Sequence, residues 1–143
     1  MNRLVVLMGL PGSGKSTLAL SKEFEHYEWI NQDTLGDRGK CISAAAKALA
    51  GGMNVVIDRC NVTKEQRAFW VRLANDYAAQ ITCIFLVVDP EECLYRINLR
   101  KNHPTIKEDL SVEKKRDIIA NFFKSVQLPS LDEGFHEVTF RRN

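Results

Sequence analysis

Leu4-Val-Val-Leu-Met8 is an uninterrupted apolar run with β-branched residues, and the chain leaves it directly through Gly9-Leu-Pro-Gly-Ser-Gly-Lys15-Ser16-Thr17. No other feature constrains the fold as strongly. A short run that is apolar on both faces reads as a strand buried between the layers of a parallel sheet. The loop after it matches G-x-x-x-x-G-K-[ST] in full. Its glycines let the backbone turn so that successive N–H groups point at one anion. Lys15 adds a point charge for the outer phosphates, and the Ser16 hydroxyl is a ligand for Mg²⁺. The helix expected to follow contributes its positive N-terminus. Gly9, Leu10, Pro11, Gly12, Ser13, Gly14, Lys15, Ser16 and Thr17 are therefore read as a cradle for ATP or a close relative. The alternative, a glycine-rich turn with a chance lysine, fits less well because a strand before it and a helix after it are predicted independently.

The rest of the chain alternates in the same way. Asn54 to Asp58 and Ile81 to Val88 read as buried strands, Tyr27 to Ile30 reads so more weakly, and Glu137 to Arg142 offers a last strand. Helical patterns lie between them. One starts at a capping box of Thr63 and Gln66 and carries Trp70, Leu73, Ala74 and Tyr77 on one stripe. Another starts at Asp89-Pro90 and is expected to reach about Lys101. A third follows Ser111, with Ile119, Phe122, Phe123 and Val126 on its stripe, and an alanine-rich one spans Asp37 to Ala50. Strand and helix in alternation predict an α/β, three-layer fold with a mostly parallel sheet, its ligand site at the carboxyl ends of the strands. At 143 residues the chain suffices for one packed domain, taken as 1–143.

Composition narrows the partners. With 20 Lys and Arg against 18 Asp and Glu, the net charge of +2 gives no general attraction for polyanions, so any basic site must be local. The four cysteines form no C-x-x-C pair, which argues against zinc and disulfides and for a reducing compartment. The apolar run from Ile81 to Val88 is too short to span a bilayer and no signal-peptide pattern opens the chain. A cytoplasmic or nuclear location without a membrane partner is expected.

A phosphate loop is shared by switches, motors and small kinases, so other residues must decide the class. The chain has little room for a motor's coupling elements and lacks a guanine-reading Asn/Thr-Lys-x-Asp segment. A kinase is favoured. Asp33, in Asn31-Gln-Asp-Thr-Leu-Gly36, follows the second strand where a carboxylate could take the proton of an attacking hydroxyl; it could equally cap the next helix. Asp58 ends its strand as a Mg²⁺-holding carboxylate or as a turn residue. Arg96 and Arg100 share a helix face at i, i+4, in a stretch that looks like a lid over about 96–112 bringing guanidinium groups to the transferring phosphoryl. Lys114, Lys115 and Arg116 are read as a solvated face. Trp29 and Trp70 are read as core, and the three histidines as surface or packing.

In order and spacing, GLPGSGKST, INQDTLG, NVVIDRCNVTKEQRAFWVRLA and DPEECLYRINLRKN resemble the kinase domain of polynucleotide 5′-hydroxyl kinases over roughly residues 3 to 105. The resemblance implies transfer of the γ-phosphate of ATP, with Mg²⁺, to 5′-OH ends of DNA or RNA in end repair. It makes Lys15 and Ser16 the phosphate and Mg²⁺ ligands, Asp33 the base, and Arg96 and Arg100 lid arginines. It also implies that Asp58, Asn61 and Arg67 line the floor of the site, and it leaves two arrangements open: a free-standing kinase, or one domain of a larger enzyme with a phosphatase or ligase as partner or fused domain.

The chain departs from the pattern in two places. Gly36 stands where phage-type members have an arginine that grips the acceptor's phosphate; Arg38 is near enough to substitute, and a shifted helix register could equally point it into solvent. Arg59 and Cys60 replace residues that are more usually small and polar. Two rival readings remain: a kinase of a small metabolite or nucleoside, and a nucleotide-binding module without chemistry. The loop from Leu128 to Gly134 is the expected place for the base side of the nucleotide pocket.

Overall fold

A computed structural model describes residues 2–99 and 110–142. Five strands, β1 (Arg3–Met8), β2 (Tyr27–Asn31), β3 (Asn54–Asp58), β4 (Gln80–Val87) and β5 (Glu137–Arg142), form one sheet in the order β2-β3-β1-β4-β5. Every pairing is parallel. The apolar runs forecast the position of each strand. β1, β3 and most of β4 are largely buried and take the middle, whereas β2 is buried only at its end and β5 is exposed to half-buried throughout, and these two take the edges.

Six helices connect the strands among the described residues: α1 (Lys15–Ala19), α2 (Gln32–Leu35), α3 (Arg38–Ala50), α4 (Lys64–Asp76), α5 (Pro90–Leu99) and α6 (Val112–Ser125). Their starts follow local capping chemistry. Asp37 accepts from the Lys40 amide at 2.8 Å, Ser111 accepts from the Lys114 amide at 3.2 Å, and Asp89 accepts from the Glu91 amide at 2.8 Å. Thr63 and Gln66 form the expected capping box. The short α2 has no counterpart in the sequence reading. Asn31 caps it by accepting from the Thr34 amide at 3.1 Å, and Asp37 caps α3, so Asp33 caps neither helix.

Alternation along β1 splits the core. Leu4, Val6 and Met8 pack with Cys41 and Ala45 of α3 and with Trp70 and Ala74 of α4. Val5 and Leu7 face the other way, onto Ala19 of α1 and Phe24. This second face has a thin cover, a five-residue helix and a 3-10 turn at Lys22–Phe24, where Phe24 meets Tyr27 edge-on with ring centroids 5.0 Å apart.

Leu10 of the glycine-rich loop packs into a third cluster with Leu94, Ile97 and Ile119, which joins the loop to α5 and α6. In the segment read as a solvated face, Lys115 is buried instead and donates to Asn98 Oδ1 at 3.3 Å, because that side of α6 packs on α5. Phe123 is exposed, off the packed stripe.

Candidate active site

The loop between β1 and α1 has the shape its glycines allow. Gly12 (φ 85°) and Gly14 (φ 99°) lie in the left-handed region, and a Cβ on Gly12 would come within 2.7 Å of the Cys93 carbonyl of α5. A side chain at that position would push α5 off the loop. The Gly9 amide donates to the Cys60 carbonyl at 3.0 Å, which fixes the loop to the segment leaving β3. Lys15 is buried and folded back, its Nζ donating to the Gly9 and Leu10 carbonyls at 3.0 and 2.9 Å. A lysine held over the mouth of its own loop is placed to exchange those carbonyls for phosphate oxygens.

Asp58 is the best-connected carboxylate in this region. Its Oδ2 accepts from Ser16 Oγ at 2.8 Å, from the Trp29 indole Nε1 at 2.9 Å and from Asn31 Nδ2 at 3.2 Å. The register explains the convergence: Asn31 of β2 pairs with Asp58 of β3, and Trp29 lies two residues earlier on the same face. Trp29 is therefore only partly core, since its ring packs beside Val56 while its N–H holds Asp58. Asn31 and Trp29 are the positioning residues that sequence reasoning missed. Their alternation beside a strand-end aspartate was the available signal. The Ser16 hydroxyl and the Asp58 carboxylate form a pair of hard oxygen donors of the kind Mg²⁺ takes.

Asp33 sits in the first turn of α2, two residues past the end of β2, with an exposed side chain and no hydrogen bond among the described residues. Partial burial of its carboxylate is the main cause that raises its pKa above the ordinary aspartate range. The nearby Asp58 charge adds to this, while Arg59 and Lys15 pull the other way. The carboxylate thus lies within electrostatic reach of both the loop lysine and Asp58.

The other expected site residues separate. Arg96 reaches the loop, with Nη1 at 3.5 and 3.4 Å from the Gly12 and Ser13 carbonyls and Nε donating to Glu92 at 3.1 Å. Arg100 and most of the 96–112 span lie outside the described residues.

Asn61 and Arg67 do not line an open floor, and the expectation of an acceptor contact there is corrected. Asn61 is buried at a positive φ of 50°, donates to the Leu7 carbonyl at 2.7 Å and accepts from the Trp70 indole at 3.1 Å. Arg67 has no exposed surface. Its five donors reach Glu133 Oε1 (2.9 Å), Glu133 Oε2 (3.0 Å), the Gln127 carbonyl (2.8 Å), the Asn61 carbonyl (2.9 Å) and Met8 Sδ (3.4 Å). No donor remains for a ligand. The same network docks the loop from Leu128 to Gly134 on α4, where Gly134 lies against Val71.

Arg38, at the start of α3, stacks on Phe69 with its guanidinium carbon 4.4 Å from the ring centroid. Arg72 takes the same ring at 4.8 Å. Among the described residues no helix is long and apolar enough to cross a membrane.

Comparison with known proteins extends the motif resemblance along the chain. Residues 38–124 match a family model described as AAA domain. A bifunctional polynucleotide phosphatase/kinase of Schizosaccharomyces pombe is 40% identical over 137 residues, covering 94% of this chain and 32% of the relative. The Arabidopsis thaliana protein named transcription factor bHLH140 is 28% identical over 145 residues, covering 96% of this chain and 16% of the relative. The chain thus spans a third or less of the length of these curated relatives. Among solved structures, Kti12 of Chaetomium thermophilum in complex with ADP-AlF3 superposes with a TM-score of 0.72 at 16% identity, covering 97% of this chain and 88% of that one. At that identity the likeness speaks for the fold.

Proposed function

This chain belongs to the AAA-domain family and carries the α/β phosphate-loop fold, and on that premise we propose that it is an ATP-dependent polynucleotide 5′-hydroxyl kinase. It would transfer the γ-phosphate of ATP to 5′-OH ends of DNA or RNA in end repair, as one domain over 1–143. A phosphatase or ligase, fused or separate, belongs to the same proposal. The observation that carries it is the juxtaposition at the carboxyl ends of β1, β2 and β3: a phosphate cradle with Lys15, a Ser16–Asp58 oxygen pair at 2.8 Å, and beside them Asp33, which makes no hydrogen bond among the described residues. The identity to a polynucleotide phosphatase/kinase supports the choice of acceptor.

Each residue then has a part. The loop amides and Lys15 bind the β- and γ-phosphates, and Arg96, with Arg100, meets the charge spread over the transferring phosphoryl. Mg²⁺, when bound with the nucleotide through Ser16 and Asp58, neutralises phosphate charge. Trp29 and Asn31 hold Asp58 to that task. Asp33 accepts the proton of the attacking hydroxyl. Its pKa, raised chiefly by partial burial, makes the carboxylate a better proton acceptor.

The test is transfer from γ-labelled ATP to matched 5′-OH DNA and RNA oligomers beside a panel of small alcohols and nucleosides. Labelling of the oligomers, abolished by Lys15→Ala, is expected. Labelling confined to small alcohols would replace the reading with a metabolite kinase.

A further inference from the structure

Three cations, Lys114, Lys115 and Arg116, stand near the start of α6, with Glu113 the acid of its first turn. The positive end of a helix dipole is the wrong end for them. Lys114 and Arg116 are exposed, and water screens their charge. Lys115 has no such relief. Its amide donates to the Ser111 carbonyl at 3.0 Å, closing the first turn of α6, and the residue is only 6% exposed. Among the described residues its ammonium has one partner, the neutral side chain of Asn98, to whose Oδ1 it donates at 3.3 Å. The ion pairs there all use other cations. An ammonium carries three donors, and a buried charge with a single neutral acceptor costs folding free energy instead of adding to it. The stability of α6 therefore does not account for Lys115.

The far end of the bond does. Asn98 lies in the last turn of α5, where the unpaired carbonyls form the negative end of that helix's dipole. Two neighbours enclose α5. On one side, a Cβ on Gly12 would come within 2.7 Å of the Cys93 carbonyl and 3.0 Å of Ile97, and Arg96 Nη1 stands at 3.5 and 3.4 Å from the Gly12 and Ser13 carbonyls. On the other side lies α6, whose Ile119 joins Leu94, Ile97 and Leu10 of the loop in one apolar cluster. Apolar contact is non-directional, so it keeps the helices together without fixing how far one slides along the other. The bond from Lys115 to Asn98 is directional. Asn98 is two residues past Arg96, which puts the two on opposite faces of the helix. One face is tied to α6 and the other meets the phosphate loop.

We propose that Lys115 is a positioning residue for phosphoryl transfer: through Asn98 it holds α5 at the axial position from which Arg96 reaches the phosphate loop. This role rests on the kinase reading above, in which Arg96 meets the charge on the transferring phosphoryl. The burial of the ammonium is then offset in turnover and not in stability.

The experiment measures steady-state kinetics on a 5′-OH oligomer together with thermal midpoints. Lys115→Met keeps the apolar stem and drops the charge. Its kcat falls about ten- to hundredfold, a misplacement of about 1 Å being enough for the larger figure. The KM for ATP changes little, and the midpoint is no lower than that of the wild type. In an Arg96→Ala background Lys115→Met lowers kcat no further, because the two act through one contact. Asn98→Leu reproduces the loss in kcat, whereas Asn98→Asp, which keeps an acceptor for the ammonium, retains turnover. Arg116→Gln breaks only the exposed pair with Glu91 at 3.4 Å and leaves kcat unchanged. Wild-type kcat in Lys115→Met or in Asn98→Leu, a loss that multiplies with that of Arg96→Ala, or an equal loss in Arg116→Gln overturns the positioning role. Absence of wild-type transfer to the oligomer overturns the kinase reading, and this role with it.

Discussion

Arg59 and Arg67 lie on either side of the turn that links β3 to α4, and in the sequence they look alike. In the folded protein they are opposites. Arg67 is sealed in the core with every donor matched, five bonds to Glu133, Gln127, Asn61 and Met8. Arg59 is half-exposed at the rim and has no partner among the described residues. A satisfied guanidinium spends its geometry on holding elements together, here α4, β1 and the segment after α6. On the proposed function, the hub around Arg67 and the rim around Asp33 and Asp58 answer to different measurements, the first to stability and the second to turnover.

The largest effect on stability is expected at the hub. Arg67→Ala leaves the Glu133 carboxylate enclosed without its cation, a change that costs about 3–5 kcal/mol. Chemical denaturation should show it as a lower midpoint with an unchanged slope. An intact midpoint would mean that the hub is not what joins the segment after α6 to α4. At the rim, Trp29→Phe removes one of the three donors on Asp58 Oδ2. A loss of about 1.5 kcal/mol is expected, the low end for a hydrogen bond to a charged acceptor because the indole is partly exposed. It should be accompanied by a lower apparent affinity for Mg²⁺ in turnover assays. A stability loss with Mg²⁺ dependence untouched would move Trp29 from the site to the core.

The smallest effect is expected at Arg141, whose bidentate pair with Glu23 ties β5 to the 3-10 turn at Lys22–Phe24. The hydrogen bond from Arg141 holds Glu23 below the ordinary glutamate range. The stability from this pair is therefore present above the unfolded pKa and is lost as pH falls through the folded one. As an exposed pair it is worth under about 1 kcal/mol. Arg141→Ala should lower the thermal midpoint slightly at pH 7 and leave it unchanged at strongly acid pH.

The same contrast shows what the sequence made legible. The five strands, the glycine-rich loop and the caps at Asp37, Thr63 and Ser111 were readable because each depends on residues close together in the chain. Continuous apolar runs pointed to a mostly parallel sheet, and every pairing in it is parallel. Asn31 and Trp29 escaped because their role exists only across the β2–β3 pairing, which brings them to Asp58. The family resemblance put Arg67 in the floor of the site, and its actual partner, Glu133, lies 66 positions away. No local pattern separates an arginine with a distant carboxylate from one without. Lys115 was misread for the same reason, since the α5 face that covers it is distant in sequence.

The central claim is that Asp33 serves the acceptor rather than the nucleotide or the fold, and it is tested most directly by Asp33→Ala on a 5′-OH oligomer with ATP affinity and thermal midpoint measured alongside. Turnover should fall by about 10²–10⁴, the usual worth of a general base, with ATP affinity unchanged. Because the pKa of Asp33 is raised in the folded state, its ionised form costs stability above that pKa. The variant should therefore melt no lower than the wild type at neutral pH, and any gain should vanish below the unfolded pKa. Near-wild-type turnover in Asp33→Ala would contradict the account.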